Sequence, residues 1–207
     1  MVAVEILEGT KGIKALARHA IALDSQAAMR FRYIQEPLTD ILVTTPFNTL
    51  VGRRASTRLG QDKVIVRAQD IFDALNSCEP NRDFATADAL WPGALPPAEG
   101  FQLEEEFPAG IVAELGQKGK DLARQFNGPL GPPKSLLDQT VIEVNNDHKI
   151  SMRMIFTAQS FGLIPGPAVP ESVPRIMRLA VAGHWLRLDS AFGSVYFNEA
   201  PSLFSLL

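Results

Sequence analysis

The sequence predicts an α+β protein of two small mixed units, each with a mainly antiparallel sheet and one or two packed helices. Three observations support this fold class. Short runs of alternating apolar and polar residues, typical of half-buried strands, occur in both halves of the chain. A few segments instead carry apolar residues at helical spacing. Residues 77–100 are rich in Pro and Gly and lack either period, so we place the units at residues 1–98 and 101–207.

The N-terminal unit begins with a predicted strand at residues 2–7. Thr10 is a suitable N-cap for the helix that follows, whose apolar residues through Ile21 share one face. Met29 to Tyr33 alternate apolar and basic side chains, which indicates a strand. Further strands are predicted at residues 41–45, 48–51 and 64–67, and a short helix at residues 69–76.

The C-terminal unit opens with the acidic run Glu104 to Glu106, ahead of a helix predicted at residues 108–126 and ended by Asn127-Gly128. A strand at residues 140–144 with a turn at 145–147 precedes a second helix at residues 151–161. Residues 176–181 and 185–188 form a hairpin, and residues 194–197 add a strand. The first of these helices is expected to bury Ile111, Val112, Leu115, Leu122 and Phe126.

The amino-acid composition excludes several classes of protein. The chain has 207 residues, of which 46% are hydrophobic, enough for a sizeable core. Its formal net charge of −3 argues against a protein that coats nucleic acid over its whole surface. Cys78 is the only cysteine, which excludes an intramolecular disulfide. No secretory signal and no apolar run near the ~20 residues of a membrane span is present, so we expect a cytoplasmic protein without a membrane partner.

Three stretches have the character of packing and turn motifs. They are residues 21–28, residues 46–51 and residues 181–188, the last followed by Phe192-Gly193-Ser194. In this order they resemble a group of actinobacterial proteins with no assigned function, built from an N-terminal and a C-terminal unit. The resemblance implies a cytosolic bacterial protein and supplies no active-site residues.

The motifs of common catalytic and cofactor sites are missing from the sequence. There is no glycine-rich dinucleotide or phosphate loop and no Gly-x-Ser-x-Gly elbow. His19, His148 and His184 lack the closely spaced partners of a zinc site, and Cys78 has no neighbouring base. We therefore expect no catalytic residue, no metal and no cofactor.

The most suggestive feature of the sequence is a group of arginines in the predicted strands of the N-terminal unit. Arg30 and Arg32 alternate with apolar residues, so both lie on one face of a strand. If the neighbouring strands adjoin, their arginines would line that face and could bind phosphate groups, the candidates being Arg30, Arg32, Arg53, Arg54, Arg58 and Arg67. The alternative is a solubilising surface in which these arginines pair with Asp40, Asp62 and Asp70. The C-terminal arginines Arg153, Arg175, Arg178 and Arg187 raise a winged-helix alternative.

Three functional hypotheses follow in order. The first is a non-enzymatic cytoplasmic interaction or regulatory module with a protein partner or a second copy of itself. An apolar patch at Phe192, Tyr196 and Phe197 with residues 203–207 would support self-association. The second is nucleic-acid or phosphoanion binding through the arginines, and the third is a small enzyme with an unrecognised site.

Overall fold

A computed structural model describes residues 1–77, 81–91, 93–125, 132–144 and 148–200. The chain divides into two compact units, Met1–Ala94 and Leu95–Leu207. Both combine helices with a mainly antiparallel sheet, so the predicted α+β class with two mixed units is confirmed. Within the described residues, no helix is long and apolar enough to cross a membrane.

The described part of unit 1 contains two α-helices, a short 3₁₀ helix at Asp88–Leu90 and six strands. The α-helices are α1 (Thr10–Leu23) and α2 (Ala68–Asn76). The strands are β1 (Val2–Glu8), β2 (Ala28–Gln35), β3 (Leu38–Thr44), β4 (Leu50–Leu59), β5 (Lys63–Arg67) and β6 (Asn81–Phe84). All are antiparallel, in the order β5-β2-β3-β4-β1-β6.

One face of the unit 1 sheet packs against both helices. Phe31 of β2 and Ile41 of β3 point to this face and are fully buried. Helix α1 contacts β3 and β4, helix α2 contacts β5, and Ile13 of α1 and Ile71 of α2 are also fully buried. Burying such side chains contributes about 1.5–3 kcal/mol each, so this layer is the main source of stability for unit 1. The opposite face carries charged side chains such as Arg32 and Asp40 beside buried apolar ones such as Leu42 and Ile65.

Several details of unit 1 differ from the sequence prediction. Gly9 at φ 87°, rather than Thr10, is the N-cap of α1, because the chain enters the helix through a left-handed turn that glycine adopts at low cost. β4 continues to Leu59, well beyond the predicted end at residue 51. The segment assigned to the linker contains β6, which pairs with β1. Residues 78–80 lie outside the described residues, Cys78 among them.

Unit 2 contains three described helices and six described strands. The helices are α3 (Ala109–Gln125), α4 (Lys134–Leu137) and α5 (Met152–Ser160). The strands are β7 (Gln102–Pro108), β8 (Thr140–Val144), β9 (His148–Ser151), β10 (Ile176–Ala182), β11 (Trp185–Ser190) and β12 (Gly193–Asn198). Strands β12, β11, β10 and β7 are neighbours in that order, and β8 pairs with β9. The predicted hairpin corresponds to β10 and β11, with Gly183 at φ 57° in its turn.

The buried face of α3 is narrower than predicted. Ala109, Val112, Gly116, Gly119 and Ala123 are buried, whereas Ile111 is 49% exposed and Leu122 is 38% exposed. The prediction that these two side chains face inward is therefore wrong. Small residues line the contact because α5 approaches closely: a Cβ on Gly119 would lie 2.6 Å from Met152 Sδ and 2.8 Å from Phe156 Cε1. The predicted helix end at residues 126–128 lies outside the described residues.

The acidic run belongs to a strand and not to a helix entry. Glu104, Glu105 and Glu106 all lie in β7, and the register with β10 shifts between the partners of Leu179 and Ala180, which places Glu104 at a bulge. Glu106 binds Arg178 of β10 at 2.6 Å. The run is therefore part of a charged strand in which Glu105 and Glu106 are exposed.

Gly119→Ala is expected to lower the free energy of unfolding by about 1–2 kcal/mol, because the added methyl group overpacks the contact with α5. Alanine is the better helix former by about 1 kcal/mol, so any loss of stability reports the steric conflict. Urea unfolding followed by circular dichroism measures it. Gly110→Ala in the same helix is the control, since a Cβ there meets nothing within 4 Å and should be neutral or stabilising. A Gly119→Ala protein as stable as the Gly110→Ala protein would contradict this packing.

Candidate functional site

The face of strands β2–β5 opposite α1 and α2, here called the arginine face, carries five of the six predicted arginines and brings three of them, Arg30, Arg32 and Arg54, close together. The antiparallel register places Lys63, Arg32, Asp40 and Arg54 side by side across the four strands. The next row holds Ile65, Arg30, Leu42 and Gly52. Because paired residues of neighbouring strands share a face, this arrangement follows from the register alone.

Asp40 is the centre of the arginine face. Asp40 is only 3% exposed, and its two carboxylate oxygens bind different arginines. Arg32 Nη2 donates to Oδ2 at 2.8 Å, and Arg54 Nε donates to Oδ1 at 2.8 Å. Charge-assisted bonds of this kind compensate the desolvation of a buried carboxylate. The hypothesis that these arginines pair with Asp40 is thus met for Arg32 and Arg54.

Arg30 has a different environment. Its guanidinium lies 5.5 Å from the ring centroid of Trp91, in the segment that follows β6. Its Nε is buried and has no hydrogen-bond partner. Burial lowers the pKa of Arg30, the positive charge of Arg32 lowers it further, and the charge of Asp88 raises it. Asp88 itself lies 3.5 Å from Lys63 Nζ. Arg30 is therefore a cation of this face whose buried Nε–H has no acceptor.

The remaining predicted arginines do not join this group. Arg53 pairs in register with Ile41, so it lies on the helix-covered face, where a Cβ on Gly12 would come within 2.4 Å of its Nε. The expectation that all six share one face is wrong for Arg53, since consecutive strand residues point to opposite faces. Arg58 binds Glu5 of β1, and Arg67 donates to Gln26 Oε1.

A second basic surface, which the sequence analysis missed, lies on helix α1. Lys11, Lys14 and Arg18 follow one another at spacings of three and four residues, so they share one side of the helix. The helix contains no acidic residue. Within the described part of the chain, none of the three cations lies in an ion pair. The signal was present in the sequence as a helix with cations and no compensating acids.

The arginines of unit 2 serve its packing. Arg153 of α5 is 6% exposed, binds Asp138 and lies 5.1 Å from the Phe197 ring. Burial lowers its pKa. Arg187 lies 4.3 Å from the ring of Phe101 and binds Asp189, and Arg175 donates to the carbonyls of Pro167 and Val169. A strand precedes α5 where a helix-turn-helix would need a helix, so the winged-helix alternative is not supported.

The histidines form no described metal site. No group of three or more His, Cys, Asp or Glu side chains among the described residues could hold a metal ion. His148 opens β9 and His184 occupies the β10–β11 turn, whose carbonyl accepts the Glu199 N–H at 2.8 Å. Burial raises the pKa of Glu199, while the charges of His148 and His184 lower it.

The apolar patch predicted for self-association is only partly exposed. Tyr196 is buried at 8% exposure and forms an edge contact with Phe101, 6.0 Å between ring centroids. Phe192 and Phe197 are half-buried. Residues 203–207, the other part of the predicted patch, lie outside the described residues.

Comparison with family models matches each unit separately. Residues 96–202 match the model described as "Domain of unknown function (DUF8185)", and residues 8–93 match "Domain of unknown function (DUF8010)". A search of curated proteins gave no match.

Comparison with solved structures returned bacterial DNA polymerase III β subunits. The β subunit from Borrelia burgdorferi is 9% identical with a TM-score of 0.57, and the match covers 100% of this chain and 67% of that one. The sliding clamp from Caulobacter crescentus is 8% identical with a TM-score of 0.56, covering 98% and 66%. The β subunit from Thermotoga maritima is 10% identical with a TM-score of 0.53, covering 96% and 64%. The chain thus has their fold and spans about two thirds of their length.

Asp40→Asn is expected to lower the free energy of unfolding of unit 1 by about 2–4 kcal/mol, because it removes the charge that both Arg32 and Arg54 bind in a buried position. Thermal and urea unfolding measure the change. Glu5→Gln is the matched control on the same face of the same sheet. Its partner Arg58 is largely exposed, so the loss should stay below about 1 kcal/mol. Equal losses in the two variants would show that Asp40 does not organise this face.

Proposed function

Since this chain belongs to the family of the domain of unknown function DUF8185 and has the fold of bacterial DNA polymerase III β subunits, we propose that it is a non-enzymatic, clamp-like module that associates with DNA in the cytoplasm. The observation that carries the proposal is the basic side of helix α1. The fold suggests the class of partner, and the distribution of charge suggests the surface.

The basic side of α1 suits a phosphate backbone. Lys11 and Arg18 are exposed and Lys14 is half-buried, so the three charges reach solvent from a rigid element. Lysine and arginine bind phosphate oxygens through charge-assisted hydrogen bonds. Each contact also releases counterions from the DNA, which makes the affinity fall with salt. Contacts of this kind fix no base sequence, so the proposed binding is independent of sequence.

The arginine face is the weaker candidate for this role. Asp40 already engages Arg32 and Arg54, Glu5 engages Arg58 and Gln26 engages Arg67. Each of these partners already takes up a donor or offsets the charge of its guanidinium, which costs affinity for a phosphate. The charges of α1 carry no such cost. The proposal therefore relocates the nucleic-acid hypothesis from the sheet to the helix.

A second copy or another protein remains a proposed partner. Leu103, Ile111 and Leu122 of unit 2 are among the exposed large apolar side chains of the described residues, and exposed groups of this kind are common at protein interfaces. Sedimentation equilibrium over a concentration series tests self-association. We expect a mass that rises to a multiple of 22.6 kDa, and a monomer at every concentration would contradict it.

DNA association is tested by fluorescence anisotropy with a labelled mixed-sequence duplex over a salt series. The variant Lys11→Gln/Lys14→Gln/Arg18→Gln should bind more weakly at low salt. Its log–log salt slope should be shallower by about 0.9 for each phosphate that the variant no longer neutralises. The wild-type protein should bind at low salt and release the duplex as salt rises.

The control removes the same number of positive charges elsewhere, as Arg58→Gln/Arg67→Gln/Arg178→Gln. These three side chains lie on the surface and bind Glu5, Gln26 and Glu106. We expect this variant to retain most of the affinity and the full salt slope. If both variants lose affinity equally, net charge and not α1 governs binding. If neither variant nor the wild type binds duplex DNA at low salt, the proposed function is wrong.

A further inference from the structure

Arg30 is a cation placed in an apolar row without an acceptor. Its register neighbours are Ile65 on β5 and Leu42 on β3, which are 1% and 0% exposed. Trp91 lies over the guanidinium, and the buried Nε has no hydrogen-bond partner. A buried donor without an acceptor is costly, and the ring of Trp91 attracts the charge but accepts no conventional hydrogen bond. A bound acceptor would relieve this cost.

The carboxylates near Arg30 are already engaged by other cations. Asp40 is shared between Arg32 and Arg54, and Asp88 is close to both Lys63 and Arg30. No carboxylate forms an ion pair with Arg30 among the described residues. A phosphate group, which carries a charge of about −1.5 to −2 near pH 7, would supply the anionic partner that Arg30 lacks.

We propose that the arginine face of unit 1 holds a binding site for a small phosphate-class oxyanion, with Arg30 as its principal ligand and Arg32 and Arg54 at its rim. A guanidinium presents parallel N–H donors that match two oxygens of a phosphate. The Arg54 side chain is 50% exposed, so the rim of the site is open to solvent. Trp91 lies 5.5 Å from the guanidinium carbon of Arg30, so a ligand of Arg30 would lie near this ring.

This site is independent of the proposed DNA association. Helix α1 packs on the opposite face of the sheet, beside Arg53. A variant of Arg30 therefore leaves Lys11, Lys14 and Arg18 in place. Failure of the oxyanion site would not affect the DNA proposal, and failure of the DNA proposal would not affect this site.

Trp91 provides a direct reporter of the site. The chain has two tryptophans, so Trp185→Phe leaves Trp91 as the sole tryptophan, which can be excited selectively over the tyrosines. In this background, inorganic phosphate and pyrophosphate are titrated at constant ionic strength, with chloride as the balancing anion. We expect a saturable change in Trp91 fluorescence and a rise in Tm with phosphate, since a ligand that binds the folded state stabilises it.

Arg30→Gln should weaken phosphate binding by at least about tenfold, since it removes the charged guanidinium group. Arg30→Lys keeps the charge without the parallel N–H donors of the guanidinium and should bind with intermediate affinity. Arg54→Gln gives a second test should Arg30→Gln fail to fold, because Asp40 then still has Arg32. Arg58→Gln is the control and should bind as the parent does.

Four results would overturn the proposal. The first is a titration in which neither the fluorescence nor the Tm of the parent responds to phosphate or pyrophosphate. The second is a folded Arg30→Gln protein that binds phosphate as the parent does. The third is an equal response to acetate, which would indicate a carboxylate site instead. The fourth is a loss of binding in Arg58→Gln equal to that in the Arg30 variants, which would reduce the effect to overall charge.

Discussion

Strand register in the unit 1 sheet determines what each arginine of this protein can do. Side chains alternate between two faces, so adjacent residues such as Arg53 and Arg54 are separated by the full thickness of the sheet. One face packs against α1 and α2, and the other carries most of the arginines of the sheet beside buried apolar residues. Asp40 lies opposite Arg32 on one side and Arg54 on the other, which turns three separate sequence positions into one hydrogen-bonded group. A shift of one residue would bury these charges against the helices.

The two basic surfaces of unit 1 differ in how their charge is compensated. On the sheet, most guanidiniums bind a carboxylate or an amide, and Arg30 remains as an isolated cation beneath Trp91. On α1, the cations reach solvent from a helix without acids. A compensated cation contributes to the fold, and an uncompensated one is available to a ligand. The local balance of charge, and not the number of arginines, therefore distinguishes the two surfaces.

Unit 2 shows the same dependence on packing for its apolar residues. A helical stripe of large apolar side chains predicts the buried face of α3, yet Gly116 and Gly119 lie at the contact and Ile111 lies outside it. Close approach of α5 requires small residues, because Met152, Ile155 and Phe156 fill the space that larger side chains would need. The facing helix supplies the bulk of this contact. The pattern of hydrophobic residues on α3 alone could not show which of its residues lie at the contact with α5.

The sequence by itself determined the α+β class, most helices and strands, the β10–β11 hairpin and the basic character of α1. These properties depend on local periodicity, turn residues and composition. Only the tertiary structure decided that Asp40 joins Arg32 to Arg54, that Arg53 faces α1 and that Arg30 lies beneath Trp91. Such relations depend on register and contact between segments far apart in the chain. The alternation of a single strand states which residues share its face, but it does not specify the neighbouring strand or its alignment.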